Sequence, residues 1–383
     1  MITSAVIYVI PFQSSIQQWK GYLCLLLMAD SLRRIFSVFS KGLNKVMIFS
    51  LDNILYTVVL FVANLIFLIK MGRGTAGYIE AAIIADICSI VFLTVSGRLY
   101  QYFALTRIDT VLMKRMVIFS LPLIVNAMSW WITNSSDKYI IEYMIGAEAV
   151  GMYSVATKLP MLITTFSSMF LQAWSLSSIT AYENKEGETF YKNIWSVYSG
   201  GMILGTALLI ALIKVLTDIL VGKEFSDTWI YIPFLVLGAV FSGMGEFFSN
   251  FYIAAKKNVA VMLTTLGGAA ANILLNIILI PYMGIQGAAL STALTCMGVW
   301  IYRMADTRKY VKFEIQVRRL IFSGIIIGVE MMAVMSGVMA WQVSGICILL
   351  LLLLWRKVIL IIYTKGLAEG RKMLLRIRKR NVS

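Results

Sequence analysis

The sequence predicts an all-α, polytopic membrane protein. It has about twelve transmembrane helices, forming two repeat-related lobes plus two extra C-terminal helices. Three observations predict this. First, 60% of the 383 residues are hydrophobic and 14% are charged, a balance unlike that of soluble domains. Mean hydropathy is correspondingly high, at +0.83. Second, apolar runs close to the ~20 residues needed to cross hydrocarbon recur along the chain. Third, the chain matches itself without gaps at a constant offset of 212 residues. Phe36, Ser37 and Phe39 recur as Phe248, Ser249 and Phe251; Lys45 recurs as Lys257 and Asn64 as Asn276. Met71-Gly72 recurs as Met283-Gly284, Ala76 as Ala288 and Ala81 as Ala293. Internal repeats of membrane helices are a signature of transporter architecture.

The apolar segments are 1–12, 20–39, 46–69, 75–96, 116–144, 147–172, 194–216, 229–254, 259–281, 285–304, 319–340 and 342–363. Inside lipid the backbone must satisfy its own hydrogen bonds, so these runs form helices. The alternating pattern of a porin barrel is absent from them. Segment 1–12 is too short to cross alone, and Asp30, Arg33 and Arg34 interrupt segment 20–39. The longest polar connection is 178–193, too short for a soluble catalytic domain. The domains expected are an incomplete N-terminal lobe (1–113), a six-helix C-terminal lobe (114–312), two extra helices (313–363) and a basic tail (364–383). Lys114-Arg115 opens the second copy. Counting 212 residues back from there leads to an expectation of about 98 residues before Met1, with segment 1–12 reading as half a helix.

Composition excludes several function classes. There is no histidine, so the commonest general base and metal ligand is missing. Cys24, Cys88, Cys296 and Cys347 stand singly in apolar segments, as small hydrophobes rather than a disulfide or metal framework. No carboxylate cluster or large loop suits a membrane glycosyltransferase or polymerase. The chain reads as a non-enzyme without cofactor or metal.

Lysine and arginine set the orientation. One set of alternating connections holds Lys41, Lys45, Arg98, Arg107, Lys114, Arg115, Lys185, Lys192, Lys256, Lys257, Arg303, Arg308, Lys309, Lys312, Arg318, Arg319 and the tail. The other holds Lys20, Lys70, Arg73, Lys138, Lys214 and Lys223. This asymmetry puts the C-terminus in the cytoplasm and makes the net charge of +15 mostly inner-face charge. From Arg356 to Arg380 the tail carries nine basic residues and one acid, Glu369, which reads as an orientation signal touching anionic lipid. No aromatic-basic interleaving pattern accompanies this charge, so nucleic acid is not indicated.

Two blocks carry a family resemblance. Residues 117–160 contain Ser-Leu-Pro-Leu at 120–123, Ser136-Asp137-Lys138 and Gly146-Ala-Glu-Ala-Val-Gly-Met-Tyr-Ser-Val-Ala-Thr-Lys158. Asn272, Asn276, Pro281 and the turn from Gly284 to Ala289 form the second. They resemble the seventh and eighth, and the eleventh and twelfth, helices of bacterial polysaccharide-export flippases. Those belong to the multidrug/oligosaccharidyl-lipid/polysaccharide exporter superfamily. The resemblance implies two six-helix lobes plus two helices, with this chain holding family helices three to fourteen and lacking the first two.

Ionisable residues within spans are functional candidates, because they are costly in lipid. Asp137 and Lys138 fall near the outer end of their span, as cavity groups or a snorkelling pair. Lys158 falls ~15 Å into the next helix with no acid beside it, lining a cavity or meeting a structural partner. The resemblance favours Lys158 and Lys138 as contacts for a lipid pyrophosphate. Asp30, Arg33 and Arg34 share one helix face. Arg34 is repeat-equivalent to Glu246, so these two are expected either to pair across a shared cavity or to be neutralised locally. Asp86 and Glu80 are ion-coupling candidates, with Asp52 and Glu330 weaker cases.

The function expected is translocation of an undecaprenyl-diphosphate-linked oligosaccharide across the bacterial cytoplasmic membrane, for surface polysaccharide biosynthesis. The partners are that anionic lipid-linked substrate and the bilayer, and a monomer is the default state. The alternatives are a cation-coupled multidrug antiporter of the same superfamily and a truncated, non-transporting remnant.

Overall fold

A computed structural model describes residues 20–102, 109–184, 186–220, 223–337 and 339–360. Segment 1–12, Arg107, Lys185 and the tail 364–383 lie outside the described residues. Those described form twelve α-helices and no strand. They are α1 Lys20–Gly42, α2 Val46–Asn64, α3 Gly74–Ser96, α4 Thr110–Met144, α5 Ala147–Ala156 and α6 Pro160–Glu183. Then come α7 Glu188–Leu220, α8 Ile232–Ala254, α9 Asn258–Met283, α10 Ile285–Asp306, α11 Val317–Ser336 and α12 Ala340–Leu354. Eight helical stretches among them are long and apolar enough to cross a membrane. Large apolar side chains such as Ile54, Phe61, Met128, Leu274 and Ile325 are exposed along α2, α4, α9 and α11. That arrangement suits hydrocarbon and not water. The chain is an all-α, multi-pass membrane protein.

Two expectations are corrected. The 147–172 segment is two helices, α5 and α6, with a break at 157–159. Pro160 opens α6: proline has no N–H to give to the preceding turn, so it is tolerated as the first residue of a new helix. The 178–193 connection is largely helical. Helix α6 continues to Glu183 and α7 starts at Glu188.

The chain divides into two compact units, Met1–Thr110 and Val111–Ser383. The 212-residue repeat is visible in the backbone of each. Asn44 and Lys256, which occupy equivalent positions, both take left-handed φ, +59° and +58°. The following lysines, Lys45 and Lys257, have φ/ψ of −85°/52° and −105°/50° as the next helix begins. Gly72 and Gly284 have φ of +61° and +58° at the two Met-Gly turns. Only glycine tolerates the Gly284 pair of angles, 58° and −137°, without strain. The copies differ between these points: α2 widens into a π-helix over Leu65–Lys70, whereas α9 continues as α-helix through Pro281 to Met283.

In the second unit, aromatic residues of α6, α7 and α8 make the core. Trp174 stacks on Phe247 with ring centroids 4.7 Å apart, and Tyr198 stacks on Phe247 at 5.4 Å. The indoles are not left unpaired: Trp174 donates to the Phe247 carbonyl at 3.2 Å and Trp195 to the Ile315 carbonyl at 3.1 Å. Gly243 lets α8 sit against this core, since a Cβ there would be 2.5 Å from Ser167 Oγ and 2.7 Å from the Tyr198 hydroxyl.

Helices α4 and α9 are joined differently. Asn258 donates to the Phe119 carbonyl at 2.7 Å, Thr265 donates to Asn126 Oδ1, and Asn276 donates to Asp137 Oδ1 at 2.6 Å. Each pair is 139 residues apart in sequence, so the helices run parallel in one register. The steps along α4, from 119 to 126 to 137, return to one helix face at 3.6 residues per turn. This is a polar ladder between two apolar helices. In lipid such bonds contribute about 0.6–2 kcal/mol each and fix register.

Candidate functional site

The last rung of that ladder borders a cavity of about 330 Å³ within the second unit. Trp130, Asp137 and Lys138 of α4, Tyr153 of α5, Glu246 of α8, and Thr292 and Arg303 of α10 are among its lining residues. The lining is otherwise mainly apolar or small, including Leu235, Gly238, Ala239, Gly268 and Ala269.

Asp137 is only 3% exposed. A buried carboxylate must be compensated. Three neutral donors do this: the Tyr153 hydroxyl at 2.7 Å, Asn276 Nδ2 at 2.6 Å and Thr292 Oγ1 at 2.9 Å. Asn272 backs two of them, accepting from Asn276 at 3.2 Å and donating to Thr292 Oγ1 at 3.4 Å. Lys138 takes no part. Consecutive helix residues do not face one another, and Lys138 is exposed while Asp137 points into the helix bundle.

A second polar centre lies on the same cavity. Arg303, 2% exposed, forms an ion pair with Glu246 at 2.9 Å. It also donates to Thr264 Oγ1 at 3.0 Å and Thr265 Oγ1 at 2.7 Å. Trp130 Nε1 reaches Glu246 at 3.4 Å. The sequence reading counted Arg303 among the cytoplasmic-loop cations, and this is corrected: α10 extends to Asp306 and carries Arg303 inside.

Lys158 is exposed at the α5–α6 break, between Thr157 and Pro160, which both line the cavity. The expected placement in mid-helix is corrected by the Pro160 break. Neither Lys138 nor Lys158 has a carboxylate partner among the described residues.

The first unit gathers the remaining candidates. Arg33 of α1 lies 2.9 Å from Asp86 of α3, 4.0 Å from Asp52 of α2 and 3.8 Å from Asp30. Its guanidinium also sits 4.0 Å from the centre of the Tyr56 ring. Asp52 and Asp86 are fully buried, and Ser89 donates to Asp52. Arg34 is 70% exposed and bonds Asp30 at 2.7 Å. Arg34 and Glu246 thus each have a partner inside their own unit. Glu80 bonds Arg73 at 2.6 Å, apart from the Asp86 group.

Sequence reasoning missed Tyr153, Thr292 and Arg303 as site residues. It noted Asn272 only through the family resemblance, and Asn276 through that resemblance and the repeat. Two asparagines four apart in an otherwise apolar helix share a face, and that alone pointed to a buried polar partner. Arg303 gave no such signal, because it stands at the end of an apolar run.

A family profile described as "Polysaccharide biosynthesis protein" matches residues 12–175. An uncharacterized membrane protein of Methanocaldococcus jannaschii is 23% identical over 301 residues, covering 74% of this chain. The match spans 58% of that relative's length. Among solved structures, the lipid II flippase MurJ in an inward closed conformation superposes with a TM-score of 0.60 at 15% identity, covering 89% of this chain and 75% of that one. A Vibrio cholerae MATE transporter, VcmN, superposes with a TM-score of 0.67 at 12% identity, covering 80% and 75%. At these identities the structural likeness is one of fold. The profile thus matches less than half of the chain, and the solved transporters share its fold.

Two outcomes follow for stability, each read as a thermal midpoint of the purified chain in detergent. Asp137→Ala strands three buried donors, at about 1–3 kcal/mol each, and lowers the midpoint far more than Asp137→Asn, which keeps an acceptor for Asn276. Equal midpoints for the two variants contradict the hub. Glu246→Gln leaves the Arg303 guanidinium buried without its countercharge and costs about 3–5 kcal/mol. Glu80→Gln, breaking an exposed pair, costs at most about 1 kcal/mol. The reverse order contradicts a structural Glu246–Arg303 pair.

Proposed function

We propose that this chain is a flippase for an anionic, lipid-linked oligosaccharide, with an undecaprenyl diphosphate as the lipid anchor. The observation that carries this reading is the separation of Asp137 from Lys138. Neutral donors hold the Asp137 carboxylate. Arg303 holds Glu246. The acids of the cavity are therefore occupied, while Lys138 on its wall and Lys158 at its edge have no carboxylate partner among the described residues. An ammonium in a membrane-spanning unit needs water or an anion. A pyrophosphate meets that need, and a point charge on a flexible stem can also release it.

A sugar-pyrophosphate head group cannot enter hydrocarbon unaided. A cavity that offers an ammonium with no carboxylate partner can take the head group across while the prenyl tail stays in lipid. The helix break at Lys158 suits this role, because it supplies an ammonium beside the cavity without burying it. The profile match to a polysaccharide biosynthesis family and the fold shared with a lipid II flippase support the same reading. We place the protein in a bacterial cytoplasmic membrane with the C-terminus inside, on the lysine and arginine asymmetry. No catalytic step is assigned to it. A cation-binding multidrug antiporter would need free carboxylates in this cavity, and those present already have partners.

The test is outer-leaflet exposure of a labelled lipid-linked oligosaccharide in proteoliposomes. A charge-assisted hydrogen bond contributes about 1.5–3 kcal/mol, so Lys138→Gln and Lys158→Gln each slow exposure about tenfold or more. The Lys→Arg versions retain more activity than the Lys→Gln versions. Undiminished exposure in the Lys138→Gln/Lys158→Gln double variant rules out the lysines as head-group contacts.

A further inference from the structure

A second, larger concavity of about 1040 Å³ lies in the same unit, away from the Asp137 cavity. It is formed by the first turns of α7, the chain between α10 and α11, the start of α11 and the residues after α12. Six cations line it: Lys192, Arg308, Lys312, Arg318, Arg319 and Lys357. Only two carboxylates, Glu188 and Glu314, accompany them. Lys192 is already committed to Glu314, and that hydrogen bond holds the Glu314 carboxyl below its usual range. The other five cations have no carboxylate partner among the described residues.

A preference for lysine and arginine at one membrane face explains basic residues at helix ends. It does not explain why they surround a hollow, nor the apolar floor of Phe313, Ile315 and Val358 beneath them. It also does not explain the start of α11. Helix N-termini favour anions, because the backbone N–H groups there are unpaired and the helix dipole is positive. Yet Arg318 and Arg319 occupy the first turn of α11, with no acid in that turn and no side-chain cap from Gln316. Arg319 is held in place, its guanidinium 5.1 Å from the Trp355 ring. Trp355 in turn donates to Ser323 at 3.0 Å and packs where Gly200 leaves room, 2.7 Å from the position of a Cβ. Arg318 and Arg319 therefore add positive charge to a helix end that is already positive, a place where an anion is favoured.

We propose that this pocket binds a phosphate-bearing anion, with the phosphate of an anionic membrane lipid seated between the α11 N-terminus and the surrounding cations. The apolar floor favours a lipid over free phosphate, because it accepts the glycerol and upper acyl carbons of a headgroup at the membrane surface. The site is distinct from the Asp137 cavity and does not depend on the substrate assigned there.

The experiment uses the full chain in nanodiscs of phosphatidylcholine alone or mixed with phosphatidylglycerol, with retained lipid read by native mass spectrometry after transfer to detergent. The test variant is Arg318→Gln/Arg319→Gln. The control, Lys114→Gln/Arg115→Gln, removes the same charge from the exposed start of α4, outside the pocket. Both must elute as the wild type does on size exclusion; if the pocket variant does not, Lys312→Gln/Lys357→Gln replaces it. The wild type and the control retain phosphatidylglycerol, and the pocket variant retains about tenfold less. Inorganic phosphate at millimolar concentration identifies the source. Retained lipid that phosphate does not displace means a headgroup site, whereas thermal stabilisation by phosphate alone, lost in the pocket variant, means a free-anion site. Equal lipid loss in both double variants, or no loss in either together with no effect of phosphate, overturns the proposal.

Discussion

The second unit depends on how a buried carboxylate is satisfied between α4 and its neighbours. Asp137 ends a ladder of side-chain hydrogen bonds that starts at Asn258 and the Phe119 carbonyl and passes through Thr265 and Asn126. Apolar helices in lipid gain little from burying one another, since lipid is as apolar as leucine. The ladder supplies what hydrophobicity cannot, a single parallel register for α4 against α9. At its last rung, Tyr153 and Thr292 draw α5 and α10 to the same carboxylate. One side chain thereby ties four helices together, and it does so with neutral partners.

Three of the buried charge centres among the described residues are compensated in different ways. Asp137 is held by amide and hydroxyl donors. Arg303 and Glu246 neutralise each other, with two threonines completing the guanidinium's bonds. In the first unit, Arg33 faces three aspartates from three helices. The first solution has a functional consequence: because Asp137 needs no ammonium, Lys138 is left to the cavity. Under the proposed function, the Asn-Asp-Thr arrangement that orders the helices would also leave an ammonium for the ligand.

Much of the fold was legible in the sequence, because membrane helices declare themselves by length and apolarity. Segments such as 46–69, 75–96 and 259–281 needed no tertiary information. The repeat was equally legible, and its turns recur in the backbone at Asn44 and Lys256 and at Gly72 and Gly284. The site was legible only in part. Asp137 and Glu246 stood out as charges in apolar runs, but Asn276 and Thr292 reach Asp137 from 139 and 155 residues away, and Arg303 reaches Glu246 from 57. A lone charge shows that compensation is required without showing what supplies it. Pairing Arg34 with Glu246 through the repeat followed symmetry, yet each is bonded inside its own unit, to Asp30 and to Arg303. Lys158 misled for another reason: Pro160 breaks the helix, and depth counted along one continuous helix does not survive the break.

The central claim is that this cavity selects anions because its acids are already engaged. Competition binding on the purified full chain tests it most directly, with a labelled prenyl diphosphate as probe and inorganic pyrophosphate or a hydrophobic organic cation as competitor. The account predicts saturable binding of the prenyl diphosphate that pyrophosphate displaces and the cation does not. Displacement by the cation alone, or saturable binding of the cation with none of the diphosphate, contradicts it.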